Sequence, residues 1–221
     1  MEYFNRQVML WGEDVQLSLQ NKKIAIIGCG GLGSSIAFAL GASGIGEVHL
    51  IDFDDVSIHN IHRQIAFKLD DEGKNKASVN ADIIKQRSPY VKTVVHKCDF
   101  KTFAQTGVEL DLIMDATDNL DTRAQINSYA KDNELPWVYG SAEAYHGQVC
   151  LFEKASFNDL FKITQRAPAG ITCPMVMQIA SLQANLALRY LAGLSVKKDF
   201  LYYLFFDDEG EQVIQRFSLS M

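Results

Sequence analysis

No Cys-x-x-Cys pair occurs in the 221 residues; Cys29, Cys98, Cys150 and Cys173 stand far apart. That spacing excludes a sequence-local zinc site and a disulfide framework. Long apolar runs are missing too, so no segment reads as a bilayer span. The start, Met1-Glu2-Tyr3-Phe4-Asn5-Arg6, lacks the basic-then-apolar layout of a secretion signal. A cytoplasmic chain with no membrane partner is the expectation. Positive charge is in deficit: 21 Lys and Arg against 27 Asp and Glu give a net charge of −6, which disfavours nucleic acid as a partner. Proline is scarce, and two of the four, Pro168 and Pro174, fall in one short stretch.

What is present is an alternation of strand-like and helix-like segments. Lys22 to Ile27 is a β-branched run that enters the glycine-rich Gly28-Cys29-Gly30-Gly31-Leu32-Gly33. Ser34 to Ala42 reads as a helix and Glu47 to Asp52 as a second strand, which makes a βαβ unit. Helices follow over Asn75 to Lys85 and Leu120 to Asp132, and strands over Lys92 to His96, Leu110 to Met114 and Pro136 to Tyr139. This order predicts a Rossmann-like, doubly wound α/β fold with a mainly parallel sheet and ligands at its carboxyl ends. Beyond Gly147 the texture changes. A strand over Gln148 to Phe152 precedes a long, mobile crossover at Lys154 to Pro174, then a helix over Met175 to Leu191. Tyr202 to Phe206 and Gln212 to Ser218 flank Asp208-Glu209-Gly210 as antiparallel hairpin strands. The expected layout is one unit over 1–221: a helical arm at 1–20, a nucleotide-binding part at 21–146, and the crossover, helix and hairpin at 147–221.

Gly28, Gly30 and Gly33 allow a tight turn, close approach of a phosphate to the backbone, and close helix–strand packing. Phosphate oxygens would meet free N–H groups at a helix N-terminus. Asp52 follows at a strand end, about twenty residues beyond the turn, where a carboxylate accepts both ribose hydroxyls. Those residues alone favour an NAD-dependent oxidoreductase. Asn60, Arg63, Gln64 and Lys76 do not, nor do Asp118 and Asn119 at another strand end. Each read singly is a solvated surface group. Read together, two cations and a magnesium-competent acid describe a triphosphate site.

At these residues the chain resembles the ThiF/MoeB/HesA family, prokaryotic relatives of ubiquitin-activating enzymes. The resemblance runs from Tyr3 almost to the C-terminus. It is carried by Tyr3-Phe-Asn-Arg6-Gln7 through Gly12, the glycine turn, Asp52-Phe-Asp54, Asn60-Ile-His-Arg63-Gln64, Gly73-Lys-Asn-Lys76 and Asp115-Ala-Thr-Asp118-Asn119. Gly140-Ser-Ala, Gly147-Gln148 and Ser181-Leu-Gln183-Ala184 continue it. The resemblance implies activation of the C-terminal glycine carboxylate of a small ubiquitin-like sulfur carrier ending in Gly-Gly. ATP and magnesium would be used, and an acyl-adenylate and pyrophosphate released. It implies that Arg63 and Lys76 contact phosphates, Asp118 holds magnesium, Asp52 holds ribose, and Asn60 and Gln64 orient phosphates. Gly28, Gly30, Gly31, Gly33, Asp54 and Asn119 complete the nucleotide site. Arg6 would reach the γ-phosphate from the other subunit of a homodimer, making composite sites.

Two departures stand out. The paired Cys-x-x-Cys zinc ligands found in most of the family are missing, so zinc is expected to be absent. Some relatives use a crossover cysteine as a nucleophile, and Cys173 is the one candidate here. It aligns with the glycine of a Gly-Pro stretch, so a buried or incidental thiol is the favoured reading. Compactness of the chain tilts the pathway toward thiamine, with the molybdopterin-synthase small subunit as the alternative substrate. An NAD-dependent oxidoreductase and a non-catalytic binder of ubiquitin-like proteins remain rival functions.

Overall fold

The computed structural model describes residues 2–161 and 169–219. The arm is a short 3-10 turn followed by α1 (Asn5–Trp11) and α2 (Glu13–Leu19). Gly12, at φ 86°, takes the left-handed corner between them. Then come β1 (Lys23–Ile27), α3 (Gly31–Leu40), β2 (Glu47–Ile51), α4 (Lys76–Arg87), β3 (Lys92–His96), α5 (Phe100–Ala104) and β4 (Leu112–Asp115). The rest is α6 (Leu120–Asp132), β5 (Trp137–Glu143), β6 (His146–Phe152), α7 (Phe157–Leu160), α8 (Cys173–Leu191), β7 (Phe200–Phe206) and β8 (Gln212–Ser218).

The strands form one sheet in the order β3-β2-β1-β4-β5-β6-β7-β8. β1 to β5 are parallel, and β6, β7 and β8 continue the sheet antiparallel. The expected doubly wound sheet with antiparallel C-terminal strands is therefore what forms. Strand pleating explains the sequence pattern: Ile24 and Ile26 face one side, Ala25 and Ile27 the other. The first side packs on Ile36 and Leu40 of α3, Ile84 of α4 and Ile179 of α8. The second packs on Phe100 and Phe103 of α5, Ile126 of α6 and Phe157 of α7. With both faces covered, the central parallel strands read as continuous apolar runs.

The expected crossover is shorter than Lys154 to Pro174, because Cys173 and Pro174 already form the first turn of α8. Its start is held tightly. The Asp199 carboxylate accepts from the main-chain amides of Glu153, Lys154 and Ala155 at 2.9 to 3.2 Å, and Phe157 is fully buried. Its exit is pinned at Ala144, whose N–H donates to Gly170 O at 2.9 Å. The middle of the expected mobile segment, 162–168, lies outside the described residues.

On the β2–β3 edge, His49 Nδ1 lies 2.8 Å from His96 Nε2, and His49 Nε2 lies 2.8 Å from Glu47 Oε1. The Glu47 carboxylate can only accept, so His49 donates from Nε2 and accepts at Nδ1 from His96. Burial depresses the pKa of both imidazoles below the usual range. The unfolded chain then binds protons first, near pH ~6.5. Stability is expected to fall as pH drops through that value toward the lower folded pKa values, and to be insensitive to these groups above it. Urea midpoints at pH 5 and 7.5 check this: the drop should be smaller in His49→Gln, and an equal drop would refute the assignment.

Candidate active site

The glycine turn and Asp52 follow the carboxyl ends of β1 and β2, and the loop of Asp118 follows β4. β1 stops at Ile27, and Gly28 turns at φ 88°; a Cβ there would come within 2.7 Å of Ala116 O. A Cβ on Gly33 would lie 1.9 Å from Gly28 O, so only glycine lets α3 start this close to β1. The helix ladder opens with Ser34 N donating to Gly30 O at 2.9 Å. The amides of Gly30, Gly31, Leu32 and Gly33 take no partner among the described residues. These donors sit at the positive end of a ten-residue helix.

Asp52 follows β2 directly. Its Oδ2 accepts from Cys29 N at 2.7 Å and its Oδ1 from Asp54 N at 2.8 Å. Burial nevertheless holds its carboxyl above the ordinary range, outweighing the two amides and Lys76. The remaining lone pairs are the acceptors a ribose would use. Lys76, the first residue of α4, is buried with its Nζ 2.8 Å from Asp54 Oδ2. Asn75 caps that helix by accepting from Ser78 N, and its Nδ2 donates to Asp52 O and Asp54 O at 3.0 and 3.1 Å. Asp54 thus faces Lys76, rather than standing apart as a free ligand group.

The 58–64 segment brings Asn60 and Gln64, both buried. Gln64 Nε2 lies 3.2 Å from the position of a Cβ on Gly30, and its Oε1 is a buried acceptor without a partner. Arg63 is half-buried and lies folded back: its Nη1 donates to His59 O and to His62 Nε2, each at 3.1 Å. At the β4 end, Asp118 and Asn119 are exposed, and Asn119 Oδ1 caps α6 through Thr122 N at 3.0 Å. Asp115 is fully buried on Arg123 Nε at 3.1 Å, with Thr117 N and Oγ1 on its other oxygen. Burial pushes this carboxyl up, and the guanidinium opposes it.

The structure thus gathers the glycine turn, Asp52, Asp54, Lys76 and Gln64 in direct contact, beside Asn60 and Arg63 and the loop that carries Asp118. Arg6 is not among them. It is exposed on α1, and the neighbouring Gln7 donates to Ser43 O, beyond the far end of α3. Cys173 is half-buried as the first residue of α8, three residues before Val176, which packs against Gly31. The fully buried Cys29 contributes mainly backbone, and burial raises its thiol pKa well above normal. Asn80 and Arg123 are structural members of the site that motif reading passed over, and Asn75 and Asp115 stood in the quoted motifs without a role. Only Asn75, preceding Lys76 with Ser78 three residues on, had a local signal, that of an N-cap.

The ThiF family pattern matches residues 4–220. The chain belongs to the ThiF family. It is 33% identical over 225 residues to the adenylyltransferase and sulfurtransferase MOCS3 of Caenorhabditis briggsae, covering 94% of this chain but 56% of that protein. The chain thus spans about half the length of that longer relative. The molybdopterin-synthase adenylyltransferase of Escherichia coli is 32% identical over 203 residues, covering 86% of this chain and 82% of that protein. The sulfur carrier protein ThiS adenylyltransferase of E. coli is 29% identical over 206 residues, with coverages of 86% and 81%. A crystal structure of E. coli MccB with ATP superposes with TM-score 0.86 at 23% identity, over 99% of this chain and 71% of that one. That likeness establishes the fold. All the curated relatives named here are adenylyltransferases, which supports nucleotidyl transfer as the reaction class of this ThiF-family chain.

Proposed function

We propose that the chain adenylates the C-terminal glycine carboxylate of a small ubiquitin-like sulfur-carrier protein. The supporting observation is the convergence of four free amides, Asp52, Gln64 and Lys76 on one turn. That is a cradle for ribose and polyphosphate, and its cations serve no hydride transfer. A glycine carboxylate oxygen attacks the α-phosphorus of ATP, the bond to the bridging oxygen breaks, and pyrophosphate leaves. Both reactants are anions, so positioning and charge neutralisation supply most of the catalysis.

In this reading the amides of 30–33 bind phosphate oxygens, Asp52 accepts the ribose hydroxyls, and Asn60 and Gln64 orient the phosphates. Lys76 leaves Asp54 for the phosphates, and Arg63 unfolds from His59 O and His62 to reach them. Magnesium, held by Asp118 and phosphate oxygens, would supply further neutralisation; among the described residues no group of three His, Cys, Asp or Glu is placed to hold a metal ion. Arg6 comes from the second subunit of a homodimer. The docking of Gln7 supports this, because α3 is roughly 15 Å long and separates Ser43 from the glycine turn.

The expected compartment is the cytoplasm, and no helix among the described residues is long and apolar enough to cross a membrane. The thiamine carrier remains the favoured substrate, with the small subunit of molybdopterin synthase as the alternative. Thermal shift separates adenylation from redox function: Mg-ATP should raise the melting temperature and NAD should not. A preference for NAD would overturn the proposal. The same preparation is expected to hold no stoichiometric zinc.

A further inference from the structure

Asn80 lies on α4, one turn after Lys76, and is 1% exposed. Its Nδ2 donates to Cys29 O at 3.1 Å and to Lys76 O at 2.9 Å. Both neighbours are carbonyls, so the amide must turn its nitrogen toward them. Oδ1 is then left as a buried acceptor with no partner. That unfavourable burial lies between the phosphate turn and the helix of Lys76, close to the other unpartnered acceptor of the site, Gln64 Oε1.

We infer that Asn80 is a positioning residue that keeps the phosphate-binding amides free; the inference rests on the adenylation reading above. The geometry is that of a trans peptide, in which C=O and N–H point in opposite directions. Asn80 draws the Cys29 carbonyl toward α4, so the Gly30 N–H of the same peptide points away from α4. Cys29 O is also the acceptor, four residues back, that Gly33 N–H would take if α3 began one residue earlier. With that oxygen held by Asn80, Gly33 N–H stays unpaired. Asn75 fixes the other loop, Asp52 to Asp54, to the same helix end. Asn80 therefore governs the phosphate half of the site, and Asp52 and Asn75 the ribose half.

The test is calorimetric titration of ATP and, separately, adenosine into the wild-type chain, Asn80→Leu and Asn80→Ser. Leucine keeps the branched shape, with bulkier ends, and removes the donor. Serine in a helix bonds its own i−4 carbonyl, here Lys76 O, and is too short for Cys29 O. In both variants ATP affinity should fall about tenfold or more, and adenosine affinity should stay within about twofold. If Asn80→Leu does not fold by urea titration, Asn80→Ser carries the comparison. Unchanged ATP affinity, parallel loss of ATP and adenosine, or failure of both variants to fold would each overturn the positioning role. A wild-type chain that binds no ATP would overturn the adenylation reading itself, and this inference with it.

Discussion

Arg63→Ala should lower carrier-dependent ATP–pyrophosphate exchange by about a hundredfold to a thousandfold, the usual effect of deleting one donor aimed at transition-state charge. Stability should change by less than about 0.5 kcal/mol, because among the described residues the Arg63 side chain donates hydrogen bonds only locally, to His59 O and His62. Arg63→Lys should recover part of the rate: it restores the charge but not the planar fork that grips two phosphate oxygens. The comparison needs the exchange rate and a urea midpoint from the same preparations. An Arg63→Ala chain that exchanges normally would remove this residue from the chemistry.

Arg123→Leu should cost about 3–5 kcal/mol of stability, the penalty for leaving a buried carboxylate without its cation. Asp115 has no exposed surface, and the Arg123 guanidinium also donates Nη2 to Thr117 O at 2.6 Å and Gly140 O at 2.9 Å. One cation thus ties the loop that carries Asp118 to the end of β4 and the middle of β5. The melting temperature should fall by about 10 °C for a chain of this size. Adding Asp115→Asn should return part of the loss, since the uncompensated charge disappears. A fall of under about 1 kcal/mol in Arg123→Leu would show that the pair is not the anchor described.

The parallel core was readable because pleat and burial leave continuous β-branched runs, and because glycine is forced at Gly28 and Gly33 by contacts of 2.7 and 1.9 Å. α6 was read to the residue, Leu120 to Asp132, since Asn119 marks its cap. α5 and α7 escaped, because five and four residues are too few to show a helical period. α8 begins two residues before the expected Met175, because proline is welcome in a first helical turn. At the site, Asp52, Gln64 and Lys76 were legible as motif positions. Asn80 and Arg123 were not: a polar residue on a helix looks solvent-facing until its turn is placed against a neighbour. The same applies to His49 and His96, which are 47 residues apart and meet only through strand pairing. Their imidazoles gave no sign of each other in the linear order.

The most direct measurement is magnesium-dependent ATP–pyrophosphate exchange by the purified chain with two carriers, one from each pathway, each prepared with its Gly-Gly carboxylate free and as the C-terminal amide. Adenylation requires exchange with at least one free-carboxylate carrier and none with its amide, which has no nucleophilic oxygen to attack the α-phosphorus. Exchange that ignores the amide, or no exchange with either carrier, would contradict carboxylate activation.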